Sequence, residues 1–158
     1  MLVISKITLY ICNHYKYRMN TELNIKEYLE KAGVKASFQR IAILSFLLEN
    51  PVHPTVDIIF NNLHPSIPTL SKTTVYNTLK LLEERGVIRS LLIDEKNIRY
   101  DADLSPHAHF KCKKCGLLMD VPFDLFEPKE FEKRYPLQIT SAEIYFQGYC
   151  EECKKDIN

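Results

Sequence analysis

The sequence has no tryptophan, and only four glycines and three methionines among its 158 residues. So little glycine excludes a collagen-like or Gly-rich low-complexity chain. Neither sign of charge is in excess: 21 Lys plus Arg stand against 20 Asp plus Glu, a formal net charge of +1. Bulk charge therefore gives no sign of nucleic-acid binding, and any such contact has to come from a local patch. No apolar run approaches the roughly 20 residues that a membrane-spanning helix needs, so no membrane partner is expected and the cytoplasm is the expected location. Apolar residues still make up 46% of the chain, enough for a buried core. The length suits one ordinary domain or two small ones sharing an interface.

The stretch from Met1 to Tyr17 is mildly apolar but broken by Lys6, Asn13, His14 and Lys16, and it lacks a signal-peptide core. Met19 stands just before the first well-patterned helix, so translation is expected to begin there, with residues 1–18 a doubtful leader.

From Met19 the pattern is helical. Ile25, Tyr28, Leu29 and Ala32 fall at helical spacing and Gly33 ends the run. Ser37 is placed to cap a second helix, with Phe38, Ile41, Ala42 and Ser45 as its expected inward face. Asn50-Pro51 stops it. Val56, Ile59, Phe60 and Leu63 repeat the pattern in a third helix, with His53 as its expected cap and Pro54 in its first turn. Ser71 is placed to cap a fourth, carrying Val75, Leu79 and Leu82 inward and ending at Gly86. Val87–Ile93 and Ile98–Tyr100, around a polar turn, read as a β-hairpin. Four helices followed by a hairpin describe a winged helix-turn-helix whose fourth helix enters the major groove.

The second half is richer in aromatics and β-formers. Short strands are expected at His109–Lys111 and Leu117–Val121, a helix at Glu127–Arg134, and a long strand at Gln138–Tyr149. So small a sheet buries little alone, which makes this half the expected dimerisation domain of a homodimer. The expected architecture is α+β: a DNA-binding domain at residues 19–101 and an α/β dimerisation and zinc domain at residues 102–158. The segment Glu143–Gly148 looks like a truncated protease-tag site, but it continues the strand pattern into Cys150 and is read as native.

Cys12 is alone in the leader; the other four cysteines form two Cys-x-x-Cys pairs, Cys112/Cys115 and Cys150/Cys153. Without a secretory signal such pairs read as metal ligands before they read as disulfides or redox pairs. Four thiolates make a closed tetrahedral site that zinc fits best, and a closed site leaves no position for substrate. A zinc deaminase would need His-x-Glu before Pro-Cys-x-x-Cys, and a metalloprotease His-Glu-x-x-His; neither occurs, so no enzyme is expected. A zinc-ribbon interaction module that does not bind DNA is a further reading, which a gel shift with and without Mn(II) separates from a regulator.

His107 and His109 alternate, so in a strand they share a face. With His53, Asp101 and Asp120 they offer three imidazoles and two carboxylates, a set suited to Fe(II), Mn(II) or Zn(II). Each residue also has a bland reading as a cap or surface group. If they meet, a metal would clamp the two halves together. In the fourth helix, Ser71, Lys72, Thr73, Thr74, Tyr76, Asn77 and Lys80 offer hydroxyl, amide and cationic groups to phosphates and base edges, or else form a merely solvated face. Arg40, with Lys26, Lys31 and Lys35, adds candidate phosphate contacts.

From about Met19 onward the chain resembles the ferric uptake regulator superfamily. The resemblance is carried by Ala32 to Arg40, His53-Pro54-Thr55, Thr74-Val75-Tyr76-Asn77, Tyr100-Asp101, His107-x-His109-x-x-Cys112-x-x-Cys115-Gly116 and the terminal Cys-x-x-Cys. It looks most like the peroxide-sensing PerR branch, since Asp120 and Asn77 stand where iron-sensing members usually have Glu and Arg. The additional metal site of many iron-sensing members looks absent, with Pro106, Ala108 and Ser141-Ala142 at positions that often carry its ligands. The resemblance implies a dimeric repressor with a structural zinc on Cys112, Cys115, Cys150 and Cys153. It implies a regulatory Fe(II) or Mn(II) on His53, Asp101, His107, His109 and Asp120, and binding to an A·T-rich inverted-repeat operator. It further implies Fe(II)-catalysed oxidation of His53 or His107 to 2-oxo-histidine by peroxide, which releases the metal and the DNA. An iron-responsive repressor of metal-uptake genes is the alternative.

Overall fold

The computed structural model describes residues 21–93, 97–123 and 128–155, which leaves the expected leader and most of the hairpin turn outside the described residues. Helix α1 (Thr21–Lys31) hands over to α2 (Phe38–Glu49) through Gly33, whose φ of 73° is the left-handed turn that glycine takes without strain. The Ser37 hydroxyl accepts from the Arg40 amide at 3.4 Å and starts α2. The inward face of α2 differs from the expected one: Ile43, Leu44 and Leu47 are buried, while Phe38 is 68% exposed. This helix is apolar on most sides, so the sequence period alone does not choose the stripe that meets its neighbours.

Helix α3 (Val56–Leu63) is capped by Thr55, whose hydroxyl accepts from the Ile58 amide at 3.3 Å, and not by His53 as expected. His53 lies two residues upstream with φ of 50°, free to aim its ring elsewhere. Helix α4 (Lys72–Glu84) is capped by Ser71, which accepts from the Thr74 amide at 3.0 Å. Val75, Leu79 and Leu82 are fully buried, each contributing about 1.5–3 kcal/mol by leaving water. They join Leu29, Val34, Ile43, Leu44 and Ile59 in one core. Strands β1 (Arg89–Leu91) and β2 (Arg99–Asp101) pair antiparallel with Arg89 opposite Asp101, completing the winged helix-turn-helix. The Tyr100 amide donates to the Pro54 carbonyl at 3.1 Å and Arg99 donates to the His53 carbonyl at 3.2 Å, so the wing pins the loop that carries His53.

The C-terminal sheet has the order β4-β3-β5, built from β3 (Ala108–Cys112), β4 (Leu118–Val121) and β5 (Tyr145–Gly148). Strand β3 pairs antiparallel with β4 and parallel with β5. The long expected strand from Gln138 is regular only over β5. Helix α5 (Pro128–Arg134) lies between β4 and β5, and a single turn, α6 (Glu151–Lys154), follows β5. Leu117, Phe131, Tyr135, Leu137, Phe146 and Tyr149 each remain 42–59% exposed here. Within one chain this half leaves much of its apolar surface in water. Among the described residues no helix is long and apolar enough to cross a membrane.

Candidate metal centres and nucleic-acid face

Among the described residues, two clusters bring the ligand atoms of four side chains within 4.8 Å of one another: Cys112, Cys115, Cys150 and Cys153, and His53, His107, His109 and Asp120.

The sulfur cluster follows from the sheet register. Cys112 lies opposite Gly148 in the β3–β5 pairing, and the Lys113 amide donates to the Gly148 carbonyl at 2.7 Å, so the two knuckles meet at one end of the sheet. Gly116, with φ of 72°, closes the first knuckle. All four cysteines are free, and Cys115 Sγ and Cys150 Sγ stand 3.7 Å apart, far beyond the roughly 2.05 Å of a disulfide. Backbone amides of Cys115 and Cys150 pull the Cys112 thiol down to about 6, whereas burial and the neighbouring sulfurs push Cys153 up to about 12. Four sulfurs this close cannot all be thiolates without a cation among them. The donor set fits a structural zinc.

The second cluster draws on both halves of the chain. His109 lies opposite Asp120 in the β3–β4 register, which sets both side chains on one face. His107 precedes β3 by one residue, and its Nε2 is 3.0 Å from His109 Nε2. His53 comes from the loop before α3 and is 1% exposed; its Nε2 lies 2.8 Å from Asp120 Oδ1. Yet both nitrogens of His53 and Asp120 Oδ1 are shut off from solvent with no hydrogen bond of acceptable geometry. Buried polar atoms are rarely left so, and convergent lone pairs without hydrogens between them are what a cation satisfies. His107 Nδ1 lies 2.9 Å from the Ser105 carbonyl; a proton donated there leaves Nε2 as the bare lone pair. The donors fit Fe(II), Mn(II) or Zn(II).

Asp101, the fifth expected ligand, stands beside this cluster and not in it. Its Oδ2 is 3.3 Å from His107 Nε2 and 3.8 Å from His109 Nε2. Burial would raise its pKa, but the facing imidazoles of His107 and His109 and the Asp103 amide, which donates to Oδ1, hold the carboxyl far below the ordinary range. Burial would likewise lower His107, but Asp101 and Asp120 outweigh it and hold the imidazole above its usual value. Two neighbours went unnoticed in the sequence. Arg89 donates through Nε to Asp101 Oδ2 at 2.9 Å, and the Tyr145 ring stacks on His109 with centroids 5.6 Å apart. The sequence carries no direct signal for Arg89, because its place opposite Asp101 comes from the strand register.

On α4 the expected DNA-facing residues lie along the exposed side. Tyr76 is 51% exposed, and Thr73, Asn77 and Lys80 are exposed as well. Three others are engaged within the fold: Ser71 caps the helix, Thr74 Oγ1 lies 2.8 Å from the Ser71 hydroxyl, and Lys72 pairs with Asp57 at 2.7 Å. Arg40 is half-buried and donates to the Lys35 carbonyl at 2.7 Å.

The model of the family described as "Ferric uptake regulator family" matches residues 31–147. The chain is 32% identical over 132 residues to the peroxide-responsive repressor PerR of Staphylococcus epidermidis, covering 82% of this chain and 88% of that protein. It is 30% identical over 128 residues to PerR of Staphylococcus aureus, covering 80% and 86%. Among solved structures it is similar to the Helicobacter pylori ferric uptake regulator, with a TM-score of 0.71 and 26% identity over 89% of this chain and 99% of that one. It is similar also to the Campylobacter jejuni peroxide stress regulator, with a TM-score of 0.65 and 26% identity over 85% and 100%. With its two donor clusters set in a winged helix and a zinc-knuckle sheet, the chain belongs to the ferric uptake regulator family, whose members are metal-responsive regulators of transcription.

Proposed function

We propose that this protein is a dimeric, metal-dependent DNA-binding repressor, and not an enzyme, that senses peroxide through a histidine ligand of its regulatory metal. The observation that carries the reading is the convergence of His53, from beside the DNA-binding helices, with His107, His109 and Asp120 of the C-terminal sheet. Residues 19–101 form the DNA-binding domain and residues 102–158 the dimerisation domain. The exposed apolar side chains of the C-terminal half meet those of a second copy.

When bound, Fe(II) or Mn(II) supplies the positive charge that draws these donors together, and Fe(II) also activates hydrogen peroxide. The residues do the rest. His53 is held by Arg99 and by the backbone next to the wing, so its capture by the site fixes the wing and α4 relative to the sheet. Thr73, Tyr76, Asn77 and Lys80 then face the major groove of an A·T-rich inverted repeat, with Ser71, Lys72, Thr74 and Arg40 near the phosphates. In the sensing step one oxygen of hydrogen peroxide enters at a ring C–H of His53 or His107, the displaced hydrogen staying on the ring in its 2-oxo form, and the other oxygen leaves as water. The 2-oxo ring is a poor ligand, and the clamp opens.

Mass spectrometry tests this. After peroxide, the Fe(II)-loaded protein should gain one oxygen on peptides carrying His53 or His107 and lose operator binding, while the Mn(II) form gains none. Equal behaviour of the two forms, without an adduct, rejects peroxide sensing. The similarity to the Helicobacter pylori regulator supports a second reading, an iron-responsive repressor of metal-uptake genes, which reversible loss of DNA binding on chelation without oxidation would favour.

A further inference from the structure

The two oxygens of Asp101 are engaged differently. Oδ1 accepts the Asp103 amide at 2.7 Å, a turn within the backbone. Oδ2 faces His107 and His109, and the same oxygen accepts from Arg89 Nε at 2.9 Å. Arg89 does more than pair with it. Its Nη2 donates to the carbonyls of Asp103 and Ser105, the latter at 3.1 Å, and lies 3.1 Å from His107 Nδ1. A guanidinium is planar, carries five donors and stays charged at any relevant pH, so Arg89 neither swings aside easily nor yields by losing a proton.

We propose that Arg89 competes with the regulatory cation for Asp101 and so sets how tightly the site holds metal. The inference rests on the regulatory-site reading above. His53, His107, His109 and Asp120 converge without Asp101. A cation held among them would gain a second carboxylate through Oδ2, the oxygen that Arg89 already engages, and would weaken or displace that bond. That exchange costs a charge-assisted hydrogen bond in a half-buried setting. A divalent ion held by His107 would also stand beside a fixed positive charge, since Arg89 Nη2 lies 3.4 Å from His107 Nε2 and screening there is weaker than in open water. Both effects oppose metal uptake. The two carbonyl contacts of Arg89 do not involve Oδ2, so giving up that oxygen would leave them in place. The fourfold set captures the ion, and Arg89 weakens the hold of the fifth ligand.

The test is a Mn(II) titration of the zinc-loaded protein, followed by the electron paramagnetic resonance signal of free Mn(II), with zinc content and thermal unfolding as checks on the fold. R89Q removes the charge and is expected to bind Mn(II) about tenfold tighter or more. R89K keeps the charge and is expected to stay within about threefold of the parent. Should R89Q not fold, R89M, which keeps the apolar stem, takes its place. Unchanged or weaker binding by the charge-free variant overturns the inference, because Arg89 would then be a preorganising group and not a competitor. So does a shift in R89K as large as that in R89Q. A parent chain that takes up no Mn(II) beyond its zinc overturns the regulatory site itself, and this inference with it.

Discussion

His53 Nε2 and Asp120 Oδ1 lie 2.8 Å apart, one from the loop before α3 and one from β4, and neither has a hydrogen bond. The pair joins parts of the chain 67 residues apart in sequence, and it does so through atoms suited to sharing a cation.

Removing His53 takes away the one member of the cluster supplied by the DNA-binding half. His53→Ala is expected to weaken Mn(II) binding by about 100-fold, the upper end of what outer-shell losses alone produce. Zinc content should be unchanged, because the sulfur cluster lies elsewhere. Elemental analysis beside a Mn(II) titration separates the two sites.

Cys153 is buried, and it brings the last helical turn into the sulfur cluster. Cys153→Ser is expected to abolish zinc retention and to unfold the C-terminal unit first, since metal binding free energy in such a site is folding free energy. Amide hydrogen exchange over β3 and β5 should rise while α4 stays protected.

In α4, Leu79 is fully buried. Leu79→Ala is expected to cost about 2–5 kcal/mol of stability. Thermal unfolding of the zinc-loaded protein measures it.

Asn77 and Lys80 lie on the same exposed face of that helix but should behave differently on DNA. Lys80→Ala is expected to weaken binding about equally across sequences and to lower the salt slope by about 1. Asn77→Ala is expected to cost about 1–3 kcal/mol at the operator and to relax base preference. Fluorescence anisotropy at several salt concentrations distinguishes them.

Protons compete with the metal for the imidazoles. His107 is held above its ordinary value by Asp101 and Asp120, so its protonated form persists to higher pH than that of a free imidazole. Mn(II) affinity should therefore fall as pH drops through and below that raised value, and level off above it. The pH dependence of the Mn(II) titration checks the sign.

Helix boundaries were legible because caps and stops are local: Ser37, Ser71, Gly33 and Gly86 do at their positions what their chemistry predicts. The inner face of α2 was not, because a helix apolar on most sides has no preferred stripe until its neighbours arrive. The cap of α3 was misplaced by two residues because Thr55 and His53 both sit near the start and only one has the backbone for it. The cysteine pairs were legible from spacing alone. The imidazole cluster was legible as residue types, but its closure depends on tertiary placement of a loop. Arg89 was invisible for the same reason: its role comes from strand register, which a hairpin pattern with an unspecified turn does not determine.

His53 holds its ring in the site from a left-handed backbone, φ 50°, a conformation that costs a residue with a side chain roughly 1 kcal/mol or more. The position thus serves two demands that pull apart. Asparagine would sit there with less strain yet could not replace the imidazole. On the proposed function, a change that eased the backbone here would also cost the site a ligand, so durability and response at this residue pull in opposite directions.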